Sequence, residues 1–145
     1  MKNPRITAKE RGLIKGALRR AFSRSELRNK VADSTRINHS DPERPRVKKF
    51  SWCQECGQIV PSYTTSVDHI LPVIELHRSM EDMSADELID RIWCEEENLQ
   101  VLCEDDHNIK TKLENLQRRE FKKAKNIAEG KATNGRNNKS KKTKR

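Results

Sequence analysis

The order of metal-binding side chains along the chain constrains the fold more than any other feature of the sequence. Cys53 and Cys56 form a Cys-x-x-Cys pair, and Cys103 lies far downstream with Asp106 close behind it. Cysteines at this spacing are typical of a turn that holds half of a structural zinc site, and a distant segment then supplies the remaining ligands. The sequence therefore predicts that the segment around residue 103 folds back onto this turn, with Cys53, Cys56 and Cys103 as zinc ligands and Asp106 as a candidate for the fourth.

The identity of the fourth ligand is left open by the sequence. Aspartate is less common than cysteine in a closed structural zinc site, so Cys94 or a water molecule is an alternative to Asp106. A further alternative is that the cysteines are reduced core residues without a metal. Hydrophobic residues make up only 32% of the 145 residues and aromatic residues only 4%, which predicts a small apolar core. A core of that size favours a structural metal as an additional support.

A second series of side chains, Asp68, His69, Asn98 and His107, offers harder ligands. Carboxylate and imidazole groups suit a magnesium-like ion, and an imidazole can also activate a water molecule. Cleavage of a phosphodiester by water requires such a base, together with a cation that stabilises the developing negative charge. The series is therefore compatible with phosphodiester hydrolysis.

Three short segments around these residues, 67–72, 97–103 and 107–111, follow the Cys-x-x-Cys pair in this order and resemble the local motifs of the HNH nucleases. These are the ββα-metal family of DNA-cutting enzymes, and the resemblance covers roughly residues 50–115. It implies an α+β fold with a ββα-metal core and a structural zinc site. It also implies that His69 is the general base, that Asp68 and His107 hold a catalytic Mg²⁺ or similar divalent cation, and that Asn98 orients the base.

The size and layout of the chain resemble those of the small stand-alone HNH endonucleases of bacteriophages, some of which are homing enzymes. The resemblance thus implies a phage-encoded, metal-dependent endonuclease that hydrolyses DNA. The alternative is a non-catalytic zinc-binding protein that binds nucleic acid. An RNA target is disfavoured, because the chain has few aromatic residues to stack on unpaired bases. The sequence leaves open whether one or both strands are cut and whether the protein is a monomer or a dimer.

Charge is distributed unevenly along the chain. The net charge is +10 for residues 1–50, −11 for residues 51–117 and +10 for residues 118–145. Basic segments suit the phosphate backbone of double-stranded DNA, whereas an acidic segment suits cations. The sequence predicts DNA contacts from the outer segments and from one central lysine: Arg19, Arg20, Arg24, Arg28, Lys110, Arg118, Arg119, Lys122 and Lys123.

Three regions are expected along the chain. Residues 1–49 are predicted to form a basic helical extension and a loop, and residues 50–127 the nuclease core with its zinc-binding turn. Residues 128–145 are rich in Lys, Asn, Gly, Ser and Thr, and this composition predicts a disordered basic tail.

Local patterns predict the main secondary-structure elements. Helices are expected over about 8–22, after the capping signal that runs from Ser23 to Glu26, after Ser84 and from about Asp105. In each case a capping signal or a group of acidic residues precedes apolar residues at helical spacing. A short strand is expected over 98–103. The extended segments at 58–60 and 64–70 are predicted to pair with each other as a hairpin.

The first twenty residues lack the apolar stretch of a signal peptide, and no run of the sequence is long enough to span a membrane. The sequence therefore predicts a cytoplasmic protein without a membrane partner. If the protein is phage-encoded, this compartment is the host cytoplasm.

Overall fold

The computed structural model describes residues 6–130 and shows a mixed α+β architecture. Within these residues there are four α-helices, namely α1 (Ala8–Phe22), α2 (Glu26–Ser34), α3 (Ala85–Ile92) and α4 (Glu104–Ala128). None of them is both long and apolar enough to cross a membrane. The predicted tail begins inside the last turn of α4, and its residues 131–145 lie outside the described part of the chain.

Two small antiparallel sheets accompany the helices. The first has the strand order β1 (Arg36–Ile37), β2 (Phe50–Trp52) and β3 (Ile59–Pro61), and the second consists of β4 (Thr65–His69) and β5 (Leu99–Cys103). The predicted hairpin between 58–60 and 64–70 is therefore wrong, because β3 pairs with β2 and β4 pairs with β5. Pro61 ends β3, where it cannot donate a backbone hydrogen bond. A 3-10 turn at Ser62–Thr64 then carries the chain into the second sheet.

Side-chain caps define where the helices begin. Thr7 and Glu10 form the complete capping box that the sequence predicted for α1. The capping signal predicted from Ser23 is displaced by two residues, because Ser23 ends α1. Helix α2 is capped by Ser25, whose hydroxyl oxygen accepts a hydrogen bond from the Arg28 amide, so this helix begins at Glu26. Ser84 caps α3 in the same way. Each cap satisfies amide groups that have no partner inside the helix.

The main core connects the N-terminal helices to the second sheet. Phe22 of α1 and Val31 of α2 are buried in one cluster with Ile92, Leu99 and Val101. On β5, Leu99 and Val101 belong to this cluster, whereas Leu102 is buried in a second, smaller cluster with Cys53 and Cys103. Strand β5 therefore has an apolar residue on each of its faces, and each face contributes to a different part of the site described below.

Candidate metal centre and neighbouring polar cluster

The Cys53–Cys56 segment forms a tight turn between β2 and β3. The Gly57 amide donates to the Cys53 carbonyl at 2.8 Å, and the Cys53 amide donates to the Gln58 carbonyl at the same distance. Gly57 has a φ of 73°, a left-handed conformation that glycine adopts without steric cost. The turn therefore presents Cys53 and Cys56 side by side, as their spacing predicts.

Gln54 attaches this turn to β5. Its amide donates to the Val101 carbonyl at 2.9 Å, and its side-chain oxygen accepts a hydrogen bond from the Val101 amide at 2.6 Å. Two residues further along β5, the Cys103 amide donates to the Cys53 sulfur at 3.3 Å. These three bonds bring the distant segment back to the Cys-x-x-Cys turn.

The result is a group of four donor atoms that can hold a metal ion. The Sγ atoms of Cys53, Cys56 and Cys103 and a carboxylate oxygen of Asp106 all lie within 4.8 Å of one another. Asp106 Oδ2 is 3.1 Å from the sulfurs of Cys53 and Cys103, and the sulfurs of Cys56 and Cys103 are 3.9 Å apart. Cys53 and Cys103 are buried, whereas Cys56 is exposed. The predicted fourth ligand Asp106 is thus part of the group.

Cys94, the alternative fourth ligand, lies elsewhere. It packs partly buried against the main core, and its thiol interacts with the side chain of Asn98. The group of four donors does not include it.

The acid–base properties of the group follow from these contacts. The hydrogen bond to Asp106 raises the pKa of the Cys56 thiol to about 12. Hydrogen bonds from Cys56, Cys103 and Cys53 lower the pKa of Asp106 in return. One carboxylate therefore collects three thiol donors, and a metal ion that takes their place must displace the thiol protons.

The spacing of two of the sulfurs matches a small tetrahedral ion. Zinc–sulfur bonds of about 2.3 Å place tetrahedral sulfur ligands about 3.8 Å apart, close to the 3.9 Å between the sulfurs of Cys56 and Cys103. Soft thiolates and an anionic carboxylate are also donor types that zinc takes.

The second series of predicted residues begins on β4. Asp68 is paired with Gln100 and His69 with Leu99 in the β4–β5 ladder. Successive side chains of a strand project to opposite faces, and directly paired residues share a face. His69 therefore lies on the face of Leu99 and the main core. Asp68 lies on the opposite face, against which α4 packs.

His69 is held by residues from two helices. Its Nε2 atom lies 3.0 Å from the carbonyl oxygen of Ile92 at the end of α3. Its ring packs against the ring of Phe22 from α1, with the centroids 5.3 Å apart and the planes tilted by 39°. The imidazole is therefore oriented by one polar contact and one apolar contact.

Asn98 fixes the chain directly after His69. Its main-chain carbonyl accepts a hydrogen bond from the Ile70 amide, and its side-chain oxygen accepts one from the Leu71 amide, both at 2.8 Å. The side chain thus extends the β4–β5 ladder beyond its last pair. No hydrogen bond between the side chains of Asn98 and His69 is found in the described residues, so Asn98 contacts the chain after His69 and not the imidazole.

Asp68 is paired with Lys110, which sequence reasoning assigned to DNA. The Lys110 ammonium lies 2.8 Å from Asp68 Oδ2, 2.5 Å from Glu114 Oε1 and 2.8 Å from the main-chain oxygen of His69. Burial by itself would lower the pKa of Lys110, but the hydrogen bonds to Asp68 and Glu114 outweigh it and raise the pKa. All three ammonium protons therefore have partners within the protein, and a phosphate contact of Lys110 stays a prediction.

His107 lies in the first turn of α4, three residues before Lys110. Side chains three residues apart share a helix face, with Cβ atoms about 5–6 Å apart. The partly buried imidazole therefore lies within one helical turn of the lysine that pairs with Asp68. In the described residues it has no side-chain hydrogen bond or ion pair, so its nitrogens are free to accept a ligand.

A groove joins the two clusters on the surface of α4. It has a volume of about 520 Å³, and its lining includes Gln100, Leu102, Asp106, Lys110 and Glu114. The four-donor group and the lysine-bridged carboxylates are thus neighbours on successive turns of one helix.

The basic residues predicted to contact DNA are mostly exposed. Arg118 is partly buried, and it donates to the Ile74 carbonyl at 2.8 Å and lies 3.8 Å from Glu114. Partial burial, and then the positive charges of Arg19 and Arg118, lower the pKa of Lys15. Basic side chains of α1 and α4 therefore lie close together. The other residues predicted to contact DNA are exposed except for the partly buried Arg28: Arg19, Arg20, Arg24, Arg119, Lys122 and Lys123.

Three residues of this region were not predicted from the sequence. Gln54 holds the Cys-x-x-Cys turn, Glu114 pairs with Lys110, and Lys15 lies near Arg118. The spacing of Lys110 and Glu114 is that of an i,i+4 ion pair, and it could have indicated that Lys110 has a partner on its own helix. The bonds of Gln54 and the neighbours of Lys15 depend on which distant segments meet, and no local signal indicates them.

No protein-family model, curated protein or solved structure matches the chain. The chemistry of the side chains and their arrangement are the basis on which a function can be inferred.

Proposed function

We propose that this protein is a metal-dependent DNA endonuclease of the HNH type, in which His69 is the general base. The observation that carries the proposal is the contact between His69 Nε2 and the Ile92 carbonyl at 3.0 Å. A carbonyl oxygen can only accept a hydrogen bond, so Nε2 must carry the proton. In the neutral ring, Nδ1 is then unprotonated and can accept a proton from water.

Neighbouring residues support this assignment, although the Asp68 side chain projects from the face of β4 opposite His69. Asn98 holds the Ile70 and Leu71 amides, which fixes the backbone that carries the base. Asp68 already accommodates a positive charge at 2.8 Å, so its carboxylate is a suitable ligand for a divalent cation. His107 has no side-chain partner among the described residues and lies one turn before Lys110 on α4, and we assign it as the second ligand. A Mg²⁺ or similar ion bound there would supply positive charge to the oxygens of the scissile phosphate.

We assign the four-donor group of Cys53, Cys56, Cys103 and Asp106 to a structural zinc ion, because its donor types and spacing fit that ion. The group lies where the Cys-x-x-Cys turn, β5 and α4 meet. A metal there would fix the start of α4 against the Cys-x-x-Cys turn and β5. It would thereby set the position of His107 and Lys110 relative to Asp68.

Double-stranded DNA is the proposed substrate. The chain has a net charge of +9, and most of the basic side chains predicted to contact DNA on α1 and α4 are exposed. Exposed basic side chains attract the phosphate backbone without regard to sequence. The acidic middle segment would be repelled by DNA except where a cation is bound.

A plasmid-cleavage assay with and without Mg²⁺ tests the proposal. We expect the wild type to convert supercoiled plasmid only with the divalent cation, and His69→Ala to lose about 10²–10⁴-fold in rate. His77→Ala is the matched control, since the His77 side chain is 63% exposed and its contacts within residues 6–130 are with Glu75 and the Phe121 ring. DNA binding by a folded protein without Mg²⁺-dependent cleavage would favour the non-catalytic zinc-binding alternative.

Because His69→Ala also removes the ring contact with Phe22, circular dichroism must show that the variant is folded. His69→Gln provides a second test, since its amide can still donate to the Ile92 carbonyl but cannot act as a base near neutral pH. Wild-type rates in either folded variant would show that His69 is not the base.

A further inference from the structure

Three oxygen atoms surround the Lys110 ammonium, and they come from both sides of the β4–α4 contact. Asp68 and the His69 main chain contribute from β4, and Glu114 contributes from α4. The side chains of Lys110, Asp68 and Glu114 are each only about a quarter exposed, at 24%, 24% and 23%. Two carboxylates and one backbone carbonyl are also the kinds of ligand that hard divalent cations take in proteins.

The two carboxylates hold the ammonium in different ways. Glu114 lies one turn beyond Lys110 on the same helix, so this pair can persist whatever happens at β4. Asp68 lies on β4, and its pair with Lys110 exists only through the packing of α4 on the β4–β5 sheet. The ammonium can therefore leave Asp68 without becoming unpaired, because Glu114 retains it.

We propose that Lys110 competes with the divalent cation for Asp68. Without the ion, its ammonium pairs with both Asp68 and Glu114. When the ion binds Asp68, the ammonium stays paired with Glu114 alone. This inference rests on the proposed function, because it takes Asp68 as the ligand of the divalent cation. Lys110 keeps Asp68 oriented and its charge balanced, at the cost of weaker metal binding. Glu114 is a positioning residue that acts through Lys110 and sets how readily the ammonium departs.

The test is direct binding of Mn²⁺ to the purified protein, followed by the electron paramagnetic resonance signal of the free ion. Only the binding that is lost in Asp68→Ala is assigned to this site. We expect Lys110→Met to bind Mn²⁺ at least about tenfold more tightly than wild type, because a like charge within about 4 Å is removed. Methionine keeps most of the aliphatic part of the side chain.

Lys125→Met is the matched control. Lys125 also belongs to an i,i+4 pair on α4, with Glu129 at 4.0 Å, but it lies about 22 Å further along the helix. Its replacement is expected to change Mn²⁺ affinity by less than about twofold, since charges at that distance are screened.

Glu114→Gln tests the transfer itself. With Glu114 neutralised, the ammonium has no second carboxylate to move to, so Mn²⁺ affinity should fall about threefold or more. In the Lys110→Met background the same change should have a smaller effect, because no ammonium remains to be transferred. Equal effects in the two backgrounds would contradict the role of Glu114.

The outcomes separate this inference from the proposed function. If wild type binds Mn²⁺ through Asp68 and Lys110→Met binds it no more tightly, the competition is wrong and the proposed metal site stands. If neither protein binds Mn²⁺ at millimolar concentration in a manner that depends on Asp68, both are wrong. If Lys110→Met does not fold, Lys110→Gln replaces it with the same expected gain, since its amide can still donate to the His69 carbonyl.

Discussion

The first three turns of α4 contribute to two clusters that differ in the charges of their side chains. At the start of the helix, Asp106 joins three cysteines whose thiols donate to its carboxylate. One turn later, Lys110 joins Asp68 and Glu114, so a cation of the protein itself is included. Asp106, Lys110 and Glu114 line the same groove.

The difference indicates which cluster depends on an ion from outside. Without a metal ion, the cysteines of the first cluster stay protonated and donate to Asp106. A metal ion that displaces these protons contributes its binding free energy directly to folding. The lysine-bridged carboxylates are already balanced, so their contribution to stability does not need a metal. We therefore expect the first cluster to govern stability and the second to govern function.

The largest expected effect is that of Cys53→Ser. Cys53 is completely buried and its sulfur also accepts a hydrogen bond from the Cys103 amide. The variant should lose its zinc and its cooperative unfolding transition, because structural zinc sites contribute about 10 kcal/mol or more of binding free energy. Elemental analysis and thermal unfolding measure both. Cys94→Ser, outside the group, should keep its zinc, and a folded, zinc-free wild type would contradict the prediction.

A smaller effect is expected from Asp106→Ala. Three cysteine ligands remain, and water can take the fourth position, so the protein should fold but bind zinc at least about tenfold more weakly. Competition with a chelator measures this affinity. Asp105→Ala is the control, because Asp105 is exposed in the same helical turn and outside the donor group. Equal affinities of the two variants would remove Asp106 from the ligand set.

Asn98→Ala should lower the free energy of unfolding by only about 1 kcal/mol, the usual contribution of one hydrogen bond. The Leu71 amide loses its acceptor, and the chain after His69 becomes less restrained. Plasmid cleavage should therefore fall by much more than stability does. Asn115→Ala, at an exposed position on α4, serves as the control. A loss of activity no greater than the loss of folded protein would exclude a positioning role.

The smallest effect on stability is expected from removal of residues 131–145. This segment has seven Lys or Arg residues and no Asp or Glu, so its deletion should reduce the slope of log Kd against log salt by up to about 6. Zinc content and the unfolding midpoint should not change. An unchanged salt slope would mean that the segment does not contact phosphates.

Features with a local signal were predicted correctly from the sequence. The capping box of Thr7 and Glu10, the cap at Ser84 and the strand before Cys103 each depend on residues close together in the chain. The grouping of Cys53, Cys56, Cys103 and Asp106 was also predicted, because ligand chemistry indicates partners even across a long separation.

Features that depend on a choice between distant partners were not predicted. The segment at β3 is extended, as expected, but only the tertiary structure decides that it pairs with β2 and not with β4. The Asp68–Lys110 pair has the same origin, since it depends on the packing of α4 on the β4–β5 sheet. The assignments of His69 as base and of Asp68 and His107 as ligands of a divalent cation stay predictions.

The position of Cys103 links metal binding to the opening of α4. Cys103 is the N-cap of α4, and its side chain makes no capping hydrogen bond. Asp106 is the third residue of the helix. A metal ion held by both would restrain the first turn where a capping box otherwise would. Amide hydrogen exchange in that turn would then be slow only with metal bound. The turns before Ala128, far from the clusters, would exchange quickly in either case, so α4 would open from its C-terminal end.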